Sequence, residues 1–180
     1  MRQFVISDHH FYHARIIELC DRPFTDVVQM NSQMITAWNS VVTPEDEVFH
    51  IGDFGFGDPS QLAVIFRQLN GARKHLIRGN HDRPKMCTQV GWTTVQTQLT
   101  LEVGGHRVLL VHRPWQDDVP PSNVEIVIHG HIHNRPTRRA HVNINVSAEV
   151  VNYLPILLDK LVHDHMRVWG WESPERFTEV

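Results

Sequence analysis

Apolar runs in this chain keep ending on carboxylate, amide or imidazole side chains, and that habit limits the folds open to it. The stretch "VFHIGDFGFG" (48–57) is the plainest case: a buried-strand pattern runs into Asp53, set between Gly52 and Gly55. "QFVIS" (3–7) leads to Asp8 and His10, and "RKHLI" (73–77) to Asn80 and His81. "RVLLVH" (107–112) ends on His112, and "VEIVIHG" (124–130) precedes His131 and His133. One such residue after one strand is usually a turn former or a hydrogen-bonded core residue. Five strand ends that all deliver oxygen or imidazole groups point to a shared site, because the carboxyl ends of strands in open α/β sheets gather into one crevice.

The rest of the chain fits that frame. Its 180 residues suit one domain (1–180) with a sizeable core, and 41% apolar with 21% charged residues is an ordinary globular composition. A net charge of −3 gives no global attraction to nucleic acid or to an anionic membrane. Fourteen histidines are unusual for this length, and neutral imidazole is the commonest protein ligand for metals. Cys20 and Cys87 stand far apart, outside any C-x-x-C pattern, so neither a disulfide framework nor a cysteine zinc site is expected. The N-terminus enters a strand at once, without the apolar region of a signal peptide. No apolar stretch approaches the thickness of a bilayer, and a cytoplasmic protein is expected.

Periodicity assigns the elements. Helices are expected over 14–20 and 26–42, the latter with Asp26 as N-cap and an apolar stripe from Val27 to Val41. A third should open at Asp58-Pro59-Ser60 and run to Leu69, and another should close the chain after Leu154. Strands are expected at 3–7, 47–51, 73–77, 97–103, 107–112, 124–130 and 140–147. Gly104-Gly105 should form a hairpin turn, and Pro120-Pro121 a loop. Strand–helix alternation in the first half gives way to expected hairpins in the second, which suggests two packed sheets with helices outside. If the first strand persists, period-two alternation puts Asp8 and His10 on one face and turns His9 away; His131 and His133 are paired the same way. His9 and His13 are then expected beside the site or at the surface.

In this order the motifs resemble the calcineurin-like metallophosphoesterases, which carry D-x-H, G-D-x-G, G-N-H-D, a lone His and G-H-x-H. "SDHHFYH", "RPF", "WNSVV" and "NVSAEVVNYLPI" are similar to a compact, capless bacterial or phage branch. The resemblance implies an α/β fold, a four-layer α/β/β/α sandwich of two mixed sheets flanked by helices. It also implies two divalent transition-metal ions. Asp8, His10 and His133 would hold the first, Asn80, His112 and His131 the second, and Asp53 would bridge them. Four imidazoles with two carboxylates and an amide suit Mn, Fe, Zn, Ni or Co better than Mg or Ca, with Mn the expected metal.

The chemistry so implied is hydrolysis of a phosphate ester by a hydroxide bridging the two ions, with His81 as general acid to the leaving group. One departure stands out. Many members of the family orient that histidine with a polar residue three positions after the bridging Asp, and here the position is Phe56. Asp82, or a residue on an unmatched loop, is the alternative partner. Arginines sit beside the motifs, and Arg113, next to His112, is the preferred substrate contact, with His13 a second. The expected substrate is a small phosphodiester or nucleotide, cyclic ones included. A nuclease, a phosphoprotein or phosphomonoester phosphatase and a non-catalytic scaffold are the alternatives. Arg138-Arg139 gives only weak support to a nucleic-acid partner, and no membrane partner is indicated.

Overall fold

The computed structural model describes residues 1–116 and 123–169; the loop expected at Pro120-Pro121 lies outside them. In chain order the elements are β1 (Gln3–Ile6), α1 (Ile16–Leu19), α2 (Val27–Val41), β2 (Glu47–His50), α3 (Pro59–Gln68), β3 (Arg73–Ile77) and α4 (Pro84–Gln89). Then come β4 (Thr94–Gln96), β5 (Gln98–Val103), β6 (His106–Val111), β7 (Ile126–His129), β8 (Asn143–Asn145), β9 (Ile156–Leu157) and α5 (Leu158–Trp169). Sheet one runs β4-β3-β2-β1-β9 and sheet two β5-β6-β7-β8. Both are mixed: β9 joins β1 antiparallel and β5 joins β6 antiparallel, while the other neighbours are parallel. The fold is therefore α/β, two mixed sheets flanked by helices.

Alternation along the central strands divides the core in two. Phe4, Ile6, Val48 and Leu76 face α2, α3 and α4, where Met30, Met34 and Trp38 supply the helical stripe expected from spacing. Val5, Phe49 and Ile77 face the second sheet and meet Val108, Leu110, Ile126 and Ile128. Strands buried on both faces read as unbroken apolar runs, which is why these were legible. Asp26 caps α2 by accepting from the Val28 and Gln29 amides at 2.8 Å. Gly104 and Gly105, at φ 58° and 85°, make the two-residue turn between β5 and β6.

The second half departs from expectation. Among the described residues only β5–β6 is a hairpin; β6, β7 and β8 run parallel. The β7–β8 crossover, residues 130–142, contains neither helix nor strand. Parallel neighbours need a long connection, and here an irregular loop provides it. Three short elements, α4, β4 and β9, carried too few residues for a period to show.

Candidate metal centre

The strands end before the site begins. β1 stops at Ile6, and Asp8 and His10 both adopt left-handed backbone, φ 58° and 52°. Strand alternation is thus not what brings them together, contrary to expectation. The loop is anchored on the neighbouring chain, with His10 N–H donating to Asp53 O at 3.0 Å and Phe11 N–H to Phe54 O at 3.0 Å. Asp53, His131 and His133 are left-handed as well, at 57°, 69° and 52°. Such conformations cost of order 1–3 kcal/mol each and cluster at functional sites.

Two groups of side chains converge there. Ligand atoms of Asp8, His10 and His133 lie within 4.8 Å of one another, as do those of Asp53, His112 and His131. Asn80 joins the second group, its Oδ1 3.1 Å from His112 Nε2. Asp53 stands between the groups. Its Oδ1 accepts from the His81 amide at 2.9 Å, and its Oδ2 lies 3.6 Å from His10 Nε2 and 3.4 Å from His112 Nε2. The seven expected residues therefore lie together, Asp8, His10 and His133 in one group and Asp53, His112 and His131 in another that Asn80 adjoins. His131 and His133 do not share a strand face; they are divided between the sets.

The donors fit a cation better than they fit each other. Asp8 Oδ1 and both ring nitrogens of His10 are buried without a hydrogen-bond partner among the described residues. Orphaned polar atoms of this kind cost about 1–3 kcal/mol each unless something satisfies them. Burial pushes the Asp8 carboxyl up, partly countered by His112 and His133. Burial would raise Asp53 too, but its contacts with His112 and His10 hold it well below the usual carboxylate range. Burial lowers His131 to about 4. Burial alone would also lower His133, yet bonds with Cys20 and Glu149 and the charge of Asp8 push it up to about 10.

Close approach explains two of the motif glycines. A Cβ on Gly52, itself at φ 87°, would stand 2.6 Å from both Gly79 N and His112 Nδ1. One on Gly130 would fall 2.0 Å from Ser7 Oγ and 2.1 Å from Asp8 Oδ2. Neither contact leaves room for any side chain.

Three supporting residues were not read as such from the sequence. Arg22, its side chain fully buried, donates to Asp8 O and His9 O at 2.7 Å and to Glu149 Oε1 at 2.6 and 2.9 Å. Glu149 Oε1 also takes His133 Nδ1 at 3.0 Å, which turns Nε2 towards the first set. Cys20 lies close to this pair, behind His133. Asp82 accepts from the Asp53, Phe54 and Gly79 amides at 2.7–3.0 Å, so it fixes the loops after β2 and β3 to each other and not the His81 ring. The signal for Arg22 and Glu149 lies in "RPF" and "NVSAEVVNYLPI", stretches that contain these two residues.

The remaining expected residues fall nearby. His81 is exposed at the mouth, its ring 5.6 Å from that of His10 and 4.9 Å from Phe56. His13 stacks on Phe56 at 3.9 Å and approaches His10 at 5.5 Å. Phe56 thus replaces the polar partner with an aromatic contact. Arg113 is exposed and lines a small cleft with Arg78, Asn80 and His112. His9 is neither beside the site nor at the surface. Its fully buried ring stacks on Phe11 at 4.9 Å and meets His50 Nε2 at 2.9 Å, and burial holds it neutral, at about 3.

Comparison with known proteins finds relatives that cover most of the chain. An uncharacterised protein of Methanocaldococcus jannaschii is 36% identical over 168 residues, covering 88% of each chain. A protein of unknown function from Aquifex aeolicus has a solved structure with TM-score 0.73 and 29% identity, covering 90% of this chain and 98% of that one. An archaeal phosphodiesterase shares the fold at TM-score 0.51 and 17% identity, with 82% of each chain covered. Residues 1–152 match the calcineurin-like phosphoesterase superfamily domain. The chain therefore belongs to the calcineurin-like phosphoesterase superfamily.

Proposed function

We propose that this chain is a metal-dependent phosphodiesterase that holds two divalent transition-metal ions, manganese first among them, and hydrolyses small phosphodiesters. The observation that carries the reading is the position of Asp53 Oδ2, 3.6 and 3.4 Å from a donor of each set, with three further ligands on either side counting Asn80. Asp53 would serve both ions, with Asp8, His10 and His133 holding one and Asn80, His112 and His131 the other. When bound, the ions supply an activated water and neutralise the phosphate oxygens.

The side chains do the rest. Asp8 and Asp53 provide only two negative charges, so the loaded pocket stays cationic and attracts phosphate. Glu149 and Arg22 fix His133 and the Asp8 loop, so the ligands need not reorganise when substrate binds. His81, held by its backbone bond to Asp53 but with its ring at the mouth, protonates the leaving oxygen. Arg113, exposed beside His112, meets the phosphate as a bidentate donor, and His13 contacts it from the other side.

The test is turnover by protein loaded with Mn, Ni, Zn or Mg against an aryl phosphodiester, an aryl phosphomonoester and cyclic nucleotides. Faster cleavage of the diester is expected, and preference for the monoester would replace diesterase with phosphatase. His81→Ala should lower kcat about 10²–10⁴-fold with metal content unchanged. Loss of metal with loss of turnover would remove His81 from the acid's role.

A further inference from the structure

His81 belongs to two places at once. Besides facing the metal centre it lines a cleft of about 620 Å³ between the loop after β2 and the start of α4. Ligand sites commonly measure about 300–1,000 Å³. The walls are apolar: Phe56 and Pro59 on one side, Pro84 and Met86 on the other. Met86 is buried at 3% exposure and forms a fixed surface. Phe56 joins the cleft to the reacting groups, because the same ring packs on His13, His10 and His81. At the rim stand Arg83 and Lys85, both exposed and without an ion-pair partner among the described residues. The only acid in the lining is Asp58, so the cleft keeps an excess of positive charge.

In-line displacement fixes which part of a substrate must lie here. The new bond joins the water oxygen to phosphorus, and the bond that breaks runs to the leaving oxygen on the far side. That oxygen takes the electron pair and a proton from His81, while the water's proton passes to solvent and the second ester arm stays on phosphorus. The leaving arm therefore lies on the His81 side. Building on the diesterase reading above, we propose that this cleft is a leaving-group subsite for a nucleoside bearing a further phosphate. The ring packs against Phe56, Pro59 and Pro84, and the phosphate meets Arg83 and Lys85. The substrate class is then a nucleotide-to-nucleotide diester, not a simple aryl or alkyl ester.

The experiment compares wild type with the double variant Arg83→Ala/Lys85→Ala, both loaded with Mn. Two substrates are used, bis(p-nitrophenyl) phosphate and a thymidine dinucleotide phosphorylated at both ends. The ratio of kcat/KM for the dinucleotide over that for the aryl diester should fall at least tenfold in the variant. An unchanged ratio overturns the subsite. Wild-type turnover of the aryl diester reports separately on the diesterase reading. Calorimetric titration needs no turnover: thymidine 3′,5′-bisphosphate, relative to inorganic phosphate, should lose at least tenfold in affinity in the variant. Equal relative affinity in the two proteins overturns the proposal even if no diester is cleaved.

Discussion

Arg22 uses one guanidinium to hold two carbonyls of the ligand loop and the carboxylate behind His133. A buried arginine is tolerated when every donor is matched, and its planar fork suits that geometry. Glu149 repeats the logic from the other side, and partners of this kind typically contribute 10–100-fold to metal affinity. Glu149→Gln should weaken binding at the first metal position by about that factor, read by titration against a competing chelator, with little change in the helical circular dichroism. His133 makes a second expectation. Pushed up to about 10, it carries a proton at neutral pH before metal binds, and that proton must leave when Nε2 becomes a ligand. Metal loading at pH 7 should release protons into a weak buffer, and affinity should rise with pH between about 6 and 9; affinity flat across that range would contradict the assignment of His133.

Among elements, the loops between strands carry the candidate metal-binding side chains and the strands only aim them. Asp82 joins the loops after β2 and β3 with three backbone hydrogen bonds, and the loop after β7 docks on Asp8 through the His131 amide at 2.9 Å. The β7–β8 crossover can carry both His131 and His133 because no helix uses those residues. Gly130→Ala tests the closeness of that docking. Its Cβ would enter the space of Asp8 Oδ2 and Ser7 Oγ, both fully buried, so one of the two sheets must shift. The expected result is loss of metal binding together with about 1–3 kcal/mol of stability, measured by denaturant unfolding. Wild-type metal content in that variant would show the loop to be looser than described.

At the scale of the molecule, the start of the chain is tied to the sheet by Asp46. This carboxylate accepts from Arg2 at 2.6 and 3.1 Å and from Thr43 N and Oγ1 at 2.8 and 2.9 Å. The Arg2 hydrogen bond, then those of Thr43, hold its pKa far below the unfolded value of 3.8. A depressed folded pKa means the stabilisation is complete above 3.8 and fades as pH falls below it. Asp46→Asn should therefore cost about 1–3 kcal/mol at pH 7 and much less near pH 2, by thermal unfolding at both. Chelation should act on the whole fold as well. Metal at a hundredfold excess over its Kd stabilises by about 2.7 kcal/mol, so its removal should lower Tm by roughly 5–11 °C.

The sequence by itself determined the two-sheet core and singled out the side chains that gather beyond the strand ends. Doubly buried strands leave apolar residues that need no partner to be read, as at Val48, Phe49 and Ile51 and at Leu76 and Ile77, and a motif order is a property of the chain alone. Only the tertiary structure decided how these side chains point. Asp8 and His10 meet through left-handed turns held by Gly52 and Asp53 backbone, not through strand alternation, and His9 sinks into the core between Phe11 and His50. Glu149 and Arg22 likewise reach the site from sequence separations of 16 and 14 residues, counted to His133 and Asp8. Period and composition carry local conformation and burial; the direction of a side chain in an irregular loop is set by the groups packed against it, and those arrive only when distant segments fold together.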